Sequence, residues 1–408
     1  MKRLSVACLL SLLPHAPAAA QLQFTKLLAS DGEADDRFGV TVATNGRLVA
    51  AGAPFADVGG DDAAAAYNFR RSGADWTEQA KLVATDGAAG DLFGSAVDLG
   101  RDLVVLGAPQ AEGAGAAYVF RLDRATMVWS EEAKLVASDA GPGDEFGRAV
   151  AIDGEIAAVG APGKGGSLAG AGRVYVYEAI GGSWLETAVL ESPNATLDGE
   201  FGQSVALSED TLIVGAWLED ELGINSGAGY AFRRDPTGGE WALEGVLTAP
   251  DADSGDVLGY SAAVDGDLAV LGALAADLPG AFDTGAAYVF SRQRGAWTVG
   301  AKLTADDAED FDAFGGSLAV EDGLVLVGAL LEDDCPTLAF CDTGAVYAFR
   351  FDGVSADQVA KLTAPDASER DMFGVAVSQA RGSIVVGAFR SDDQGLDAGA
   401  VYALAAGD

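Results

Sequence analysis

A Phe-Gly pair, once replaced by Leu-Gly, recurs seven times along this chain at nearly even spacing, and that repetition limits the fold more than any other feature. The copies are Phe38-Gly39, Phe93-Gly94, Phe146-Gly147, Phe201-Gly202, Leu258-Gly259, Phe314-Gly315 and Phe373-Gly374, separated by 55, 53, 55, 57, 56 and 59 residues. About 14 residues after each pair stands a Gly-Ala, at Gly52, Gly107, Gly160, Gly215, Gly272, Gly328 and Gly387. An alternating aromatic segment follows, such as Ala116-Ala117-Tyr118-Val119-Phe120. Five units then carry a tryptophan (Trp76, Trp129, Trp184, Trp241, Trp297) that leads into a segment like Ala133-Lys134-Leu135-Val136. Self-similarity of this period is the signature of a repeat architecture.

Each marker lies in a short run with strand character, bounded by Gly, Asp or Pro. In the second unit, Phe93 to Leu99 alternates as strand one and Gly100-Arg101-Asp102 makes a tight turn. Leu103 to Leu106 is continuously apolar, as suits a strand covered on both faces. Gly115 to Phe120 reads as strand three and Trp129 to Val136 as strand four. No helical period of useful length is present. Four strands per unit, repeated seven times, predict an all-β fold: a seven-bladed β-propeller of four-stranded antiparallel blades.

The small residues have a packing reason. The space between blades narrows toward the axis, so Gly-Ala lets sheets approach while Tyr and Phe fill the wider outer gap. Lys26, Lys81, Lys134, Lys302 and Lys361 fall on outermost strands, where charge discourages edge pairing. The chain ends test the count. Val401 to Leu404 is a third strand without a fourth, and Gln23 to Leu28 is a fourth strand without a blade. The N-terminal strand is therefore expected to complete the last blade and close the ring, sparing the terminal repeats a cap.

Residues 1–20 read as a signal peptide. Met1-Lys2-Arg3 is a basic start, Leu4 to Leu13 is a short apolar run, and Ala18-Ala19-Ala20 precedes cleavage after Ala20. The apolar run falls short of the roughly 20 residues that span a bilayer. Residues 21–408 then form one propeller, secreted to the exterior or the periplasm, without direct membrane insertion. Losing Lys2 and Arg3 takes the formal net charge from −37 to −39, and losing His15 leaves no histidine. That excludes Ser-His-Asp and Cys-His catalysis and His-ligated zinc, though paired carboxylates would still serve as acid and base. Such acidity repels a phosphate backbone, so no nucleic acid is expected as partner. Cys335 and Cys341 sit six apart in an exported chain and read as a local disulfide, with free thiols or a metal pair as alternatives.

Phe-Gly followed by Gly-Ala-Pro (Gly52-Ala53-Pro54, Gly107-Ala108-Pro109, Gly160-Ala161-Pro162) resembles the FG-GAP repeat of integrin α-subunit propellers and of bacterial secreted relatives. The resemblance covers the whole mature chain. In four units the proline is replaced, by Trp217, Leu274, Leu330 and Phe389. The family implies cell adhesion or recognition on the propeller surface, and often calcium. Integrin propellers hold calcium in the turn between strands one and two. Here those turns (Asn45-Gly46, Asp153-Gly154, Asp265-Gly266, Asp322-Gly323) have too few ligands for an ion that takes six to eight oxygens.

Strands alternate in direction, so the loop entering strand one and the loop joining strands two and three open on one face. Both are acidic. The entering loops repeat Asp-x4-Asp at Asp31/Asp36, Asp86/Asp91, Asp139/Asp144, Asp251/Asp256 and Asp366/Asp371. The second set holds Glu219-Asp220-Glu221, Glu332-Asp333-Asp334 with Asp342, and Asp392-Asp393 with Asp397. One reading has these loops chelating calcium, with Asp251, Asp253 and Asp256 nearest to a metal loop. The other has the aspartates accepting backbone hydrogen bonds to hold turns, and repetition in blade after blade favours it. Phe55, Trp217 and Phe389 on the same rim either grip a partner at the channel mouth or plug the loops.

The resulting expectation is a secreted, non-catalytic, monomeric recognition or adhesion module that binds an extracellular protein or glycan through its acidic face. The alternatives are a hydrolase or lyase of extracellular polysaccharide using rim carboxylates, and a passive structural surface protein. Two carboxylates about 5 to 10 Å apart in a deep axial pocket would favour the enzyme.

Overall fold

A computed structural model describes residues 24–57, 64–73, 75–166, 168–237, 239–333 and 341–405. The leader and its cleavage point lie outside these residues, as do Asp334 and Cys335. Seven four-stranded antiparallel sheets form, each running from an inner to an outer strand. Six blades follow chain order, and the seventh is completed by Phe24–Leu27. That strand pairs Phe24 with Leu404 and Leu27 with Val401 on Ala400–Ala405. The predicted seven-bladed ring and its closure therefore stand. Among the described residues there is no α-helix, only a 3₁₀ turn at Ala111–Gly113.

One boundary differs from expectation. In blade two the inner strand is Ala96–Leu99, not Phe93 to Leu99. Phe93 and Gly94 precede it in a turn where Leu92 and Gly94 have φ of 58° and 84°. A left-handed backbone cannot continue a strand. The second strand, Leu103–Ala108, is wholly buried because neighbouring blades cover both its faces.

Packing between blades follows from the two glycine markers. The carbonyl oxygen of Gly94 would lie 1.9 Å from a Cβ placed on Gly52, so one blade's Gly-Ala receives the next blade's Phe-Gly. Farther out, Phe38 packs edge-on against Tyr67 at 5.4 Å, and Phe93 against Tyr118 at 5.5 Å. All seven strand-three tyrosines are fully buried. Edge-to-face geometry suits the ring quadrupoles and adds to the area buried.

Candidate recognition face

The two loop sets do share a face, and backbone hydrogen bonds join them across blade boundaries. Asp35 N donates to Leu396 O, Gly143 N to Gly113 O, Gly255 N to Ile224 O, and Phe311 N to Phe282 O, each at 2.8 to 3.0 Å. In these blades the loop between strands two and three thus latches onto the entering loop of the following blade.

Within this frame the aspartate pairs have two distinct jobs. The second member accepts the amide three residues upstream: Glu33 N to Asp36, Gly141 N to Asp144, Asp253 N to Asp256 and Ser368 N to Asp371, at 2.7 to 2.8 Å. The first member is clamped between a buried tyrosine and a lysine of the outer strand. Asp31 accepts from Tyr67 at 2.8 Å and Lys81 at 2.7 Å, while Asp251 accepts from Tyr288 at 2.9 Å and Lys302 at 2.8 Å. Asp86 with Tyr118 and Lys134, and Asp366 with Tyr402 and Lys26, repeat the arrangement. Each ammonium also lies 5.1 to 5.6 Å from its tyrosine ring, within cation–π range. The outer-strand lysines therefore hold the loops as well as guarding an edge.

Electrostatics follow the same division. Partial burial works to raise Asp31, but hydrogen bonds from Lys81 and Tyr67 outweigh it and hold the carboxyl below its usual value. Burial raises the Tyr67 phenol, and the Asp31 hydrogen bond adds to that. Asp36 and Asp256 move the other way, raised by burial. Burial pushes Asp371 up to about 6. Burial and the neighbouring Glu332 push Asp312 up to about 7 against the Glu309 amide.

Sequence reasoning missed the sixth pair, Asp307/Asp312. Asp307 receives Lys361 at 2.9 Å, and Asp312 receives the Glu309 amide at 2.7 Å. Blade four departs from the rule: Asn194 and Gly199 stand where the other loops carry the Asp pair, and Tyr230 donates instead to the buried Glu219. Blade three replaces the outer-strand lysine with Lys164 and Arg173, both reaching Asp139.

Asp253, Asp333, Asp392 and Asp393 also have protein partners. Asp253 accepts its neighbour Ser254 N at 2.8 Å. Asp333 accepts Cys341 N and Asp342 N at 2.6 and 2.8 Å, closing the loop of blade six. Asp392 accepts Asp397 N at 2.8 Å, and Asp393 accepts Ser391 Oγ while pairing with Lys26. Asp342 and Asp397 occupy left-handed turn positions with φ of 45° and 53°. Cys341 is buried. Among the described residues no three Asp, Glu, Cys or His groups are arranged to hold a metal ion.

The three rim aromatics are half-buried and engaged. Arg37 stacks over Phe55 at 4.5 Å, and Arg390 over Phe389 at 5.4 Å. Trp217 packs on Tyr260 at 5.4 Å and donates to Glu200 at 2.7 Å. Tyr260 belongs to the wall of an axial cavity of about 250 Å³, to which every blade contributes its inner strand. Among the lining residues Arg148 carries the only charge. Other apolar groups of the face are more exposed, among them Ile224 at 72 %, Phe282 at 63 % and Phe311 at 50 %. Their signal in the sequence was a large apolar residue set inside an acidic, glycine-containing loop.

No curated protein matches the chain. A family model described as the FG-GAP repeat matches seven segments, residues 22–69, 76–120, 129–177, 184–232, 241–290, 297–349 and 356–404. Each segment begins on the outer strand of one blade and continues through the first three strands of the next, which is the offset seen where Phe24–Leu27 closes the ring. This propeller type is a protein-interaction module and typically a non-catalytic repeat. With seven matched repeats, one for each blade boundary, the chain belongs to the FG-GAP repeat family.

Proposed function

We propose that the chain is an exported, non-catalytic recognition module that binds an extracellular protein or glycan through its acidic loop face. The observation that carries this reading is the set of apolar side chains standing out among the carboxylates. Phe282 and Phe311 meet at the boundary of blades five and six, where Phe311 N bonds to Phe282 O, and Ile224 occupies the boundary before it. Large exposed apolar groups rimmed by polar residues mark interaction surfaces, and aromatic anchors supply most binding energy in such surfaces. Export rests on the leader features of residues 1–20. A Cys335–Cys341 disulfide would close the blade-six loop that Asp333 already holds.

A polysaccharide hydrolase would need two carboxylates facing each other across a deep pocket. The axial cavity is walled by small, apolar and hydroxyl side chains with Gln203 and Arg148, and no carboxylate is among its lining residues, which favours binding over that chemistry. The test is a screen of the mature chain against surface proteins and glycans, repeated with I224A/F282A/F311A. Loss of a bound partner in the variant, with melting unchanged, is the expected result. A partner held equally well by the variant would move recognition off this face.

A further inference from the structure

The face opposite the acidic loops holds a cavity of about 570 Å³ between blades seven, one and two. Five arginines line it: Arg47, Arg70, Arg101, Arg124 and Arg381, with Leu122 and Met127 giving apolar wall. All five arginines are exposed. Arg124 pairs with Asp102 at 3.1 Å. Among the described residues, no carboxylate pairs with Arg47, Arg70, Arg101 or Arg381.

The repeat itself provides the contrast that gives this cluster meaning. Arg381, Arg47 and Arg101 occupy the turn between the inner and second strands in three consecutive blades. The same turn in blades three to six carries Glu155, Asp210, Asp267 and Asp322. Acidic groups beside these turns also serve the ring. Asp153 accepts Glu209 N at 2.6 Å, Asp265 accepts Asp322 N at 2.8 Å, and Glu321 accepts Arg381 N at 2.6 Å, each tying a turn to that of the next blade. A side chain required by ring geometry recurs from blade to blade. The guanidinium groups of Arg47, Arg101 and Arg381 tie no turn to its neighbour, and they collect on one side only.

Charge sharpens the point. In a chain of formal net charge −37, five guanidinium groups around one cavity repel one another with one carboxylate among them. A bound anion offsets that repulsion, and guanidinium forks match carboxylate, sulfate and phosphate oxygens in pairs. We propose that this cavity is a second binding site, one that takes a compact organic polyanion: several such groups carried on an apolar frame that rests against Leu122 and Met127. The acidity of the rest of the surface confines the site to a ligand small enough to stay within the arginine cluster.

Titration calorimetry on the full chain tests this, with citrate, sucrose octasulfate and inositol hexakisphosphate as carboxylate, sulfate and phosphate probes. At least one probe should bind one to one. Its affinity should fall about tenfold or more in R47Q/R101Q/R381Q, as expected when charge-assisted pairs are removed. R47Q and R101Q alone should give intermediate losses, so the reading survives a poorly behaved triple variant. I224A/F282A/F311A should bind the probe like the wild type, which separates this site from the acidic face. Absence of binding by all three probes overturns the proposal, as does equal binding by the arginine variants. Sedimentation showing self-association that the arginine variants abolish would also overturn it, and would assign the cavity to the acidic face of a second copy.

Discussion

The carbonyl oxygen of Gly147 would sit 1.9 Å from a Cβ built on Gly107, closer than any real pair of such atoms. One blade's Gly-Ala is thus in direct backbone contact with the following blade's Phe-Gly. Gly107→Ala should force the two sheets apart and cost about 1–3 kcal/mol or more, as overpacking does. Gly154→Ala, at a turn glycine with φ +60° and nothing within 4 Å, should cost only about 1–2 kcal/mol of left-handed strain. Denaturant midpoints of the two variants make the comparison.

The Tyr-Asp-Lys clamps predict a modest and salt-sensitive contribution. Lys134 bridges Asp86 and Glu112 at 2.7 Å, but both carboxylates are substantially exposed. Solvent screening limits such pairs, so Lys134→Met should cost no more than about 1 kcal/mol. Its larger effect should be on the entering loop, seen as faster amide exchange from Asp86 to Asp91.

Asp312 predicts a pH dependence of opposite sign to the clamps. An acid whose pKa in the folded protein is raised holds its proton more tightly when folded. Its contribution is therefore present at low pH and is lost as pH rises from the usual carboxylate range through about 7. Asp31, Asp251 and Asp366 are lowered, so their contribution is present above the usual carboxylate value and is lost as pH falls. Asp312→Asn keeps an acceptor for the Glu309 amide and gives Glu332 a donor. It should be more stable than the wild type at pH 8 and gain little at pH 5, measured by denaturant unfolding at both.

Calcium should leave the melting point unchanged. Asp251, Asp256, Asp333, Asp366, Asp371 and Asp392 each already accept hydrogen bonds from the chain. Thermal unfolding with millimolar calcium and then with excess chelator measures this. A rise of several degrees on adding the ion would be the signature of ligand-linked stabilisation and would favour the chelating reading of these loops.

Ring closure depends on Phe24, which packs edge-on against Phe373 at 5.8 Å and Tyr402 at 6.2 Å. Because it is only half-buried, Phe24→Ala should cost about 2 kcal/mol, below the range for a fully buried Phe. Limited proteolysis should then release the N-terminal strand before any cut within blades one to six.

The repeat made the architecture legible. Six Phe-Gly pairs and one Leu-Gly, each followed by a Gly-Ala, with a third strand at Val401 to Leu404 lacking its fourth, led to seven blades and to closure by the N-terminal strand. The roles of individual carboxylates were harder to read. Asp31 and Asp36 look alike in sequence, yet one is held by Tyr67 and Lys81 and the other by an amide three residues away. Asp307/Asp312 escaped notice, and Phe55, Trp217 and Phe389 drew attention that Ile224, Phe282 and Phe311 hold by exposure.

The sequence by itself determined the fold, because strand patterning and glycine spacing are local properties that repeat at a fixed period and report directly on blade geometry. Only the tertiary structure decided which charges meet. Arg47, Arg101 and Arg381 stand at the far ends of the ring's chain order, and the closure that brings blade seven beside blade one is what places them around one cavity. Repetition fixes what every blade must share, whereas a site arises where neighbouring blades differ, and neighbourhood across the seam exists only once the ring has closed.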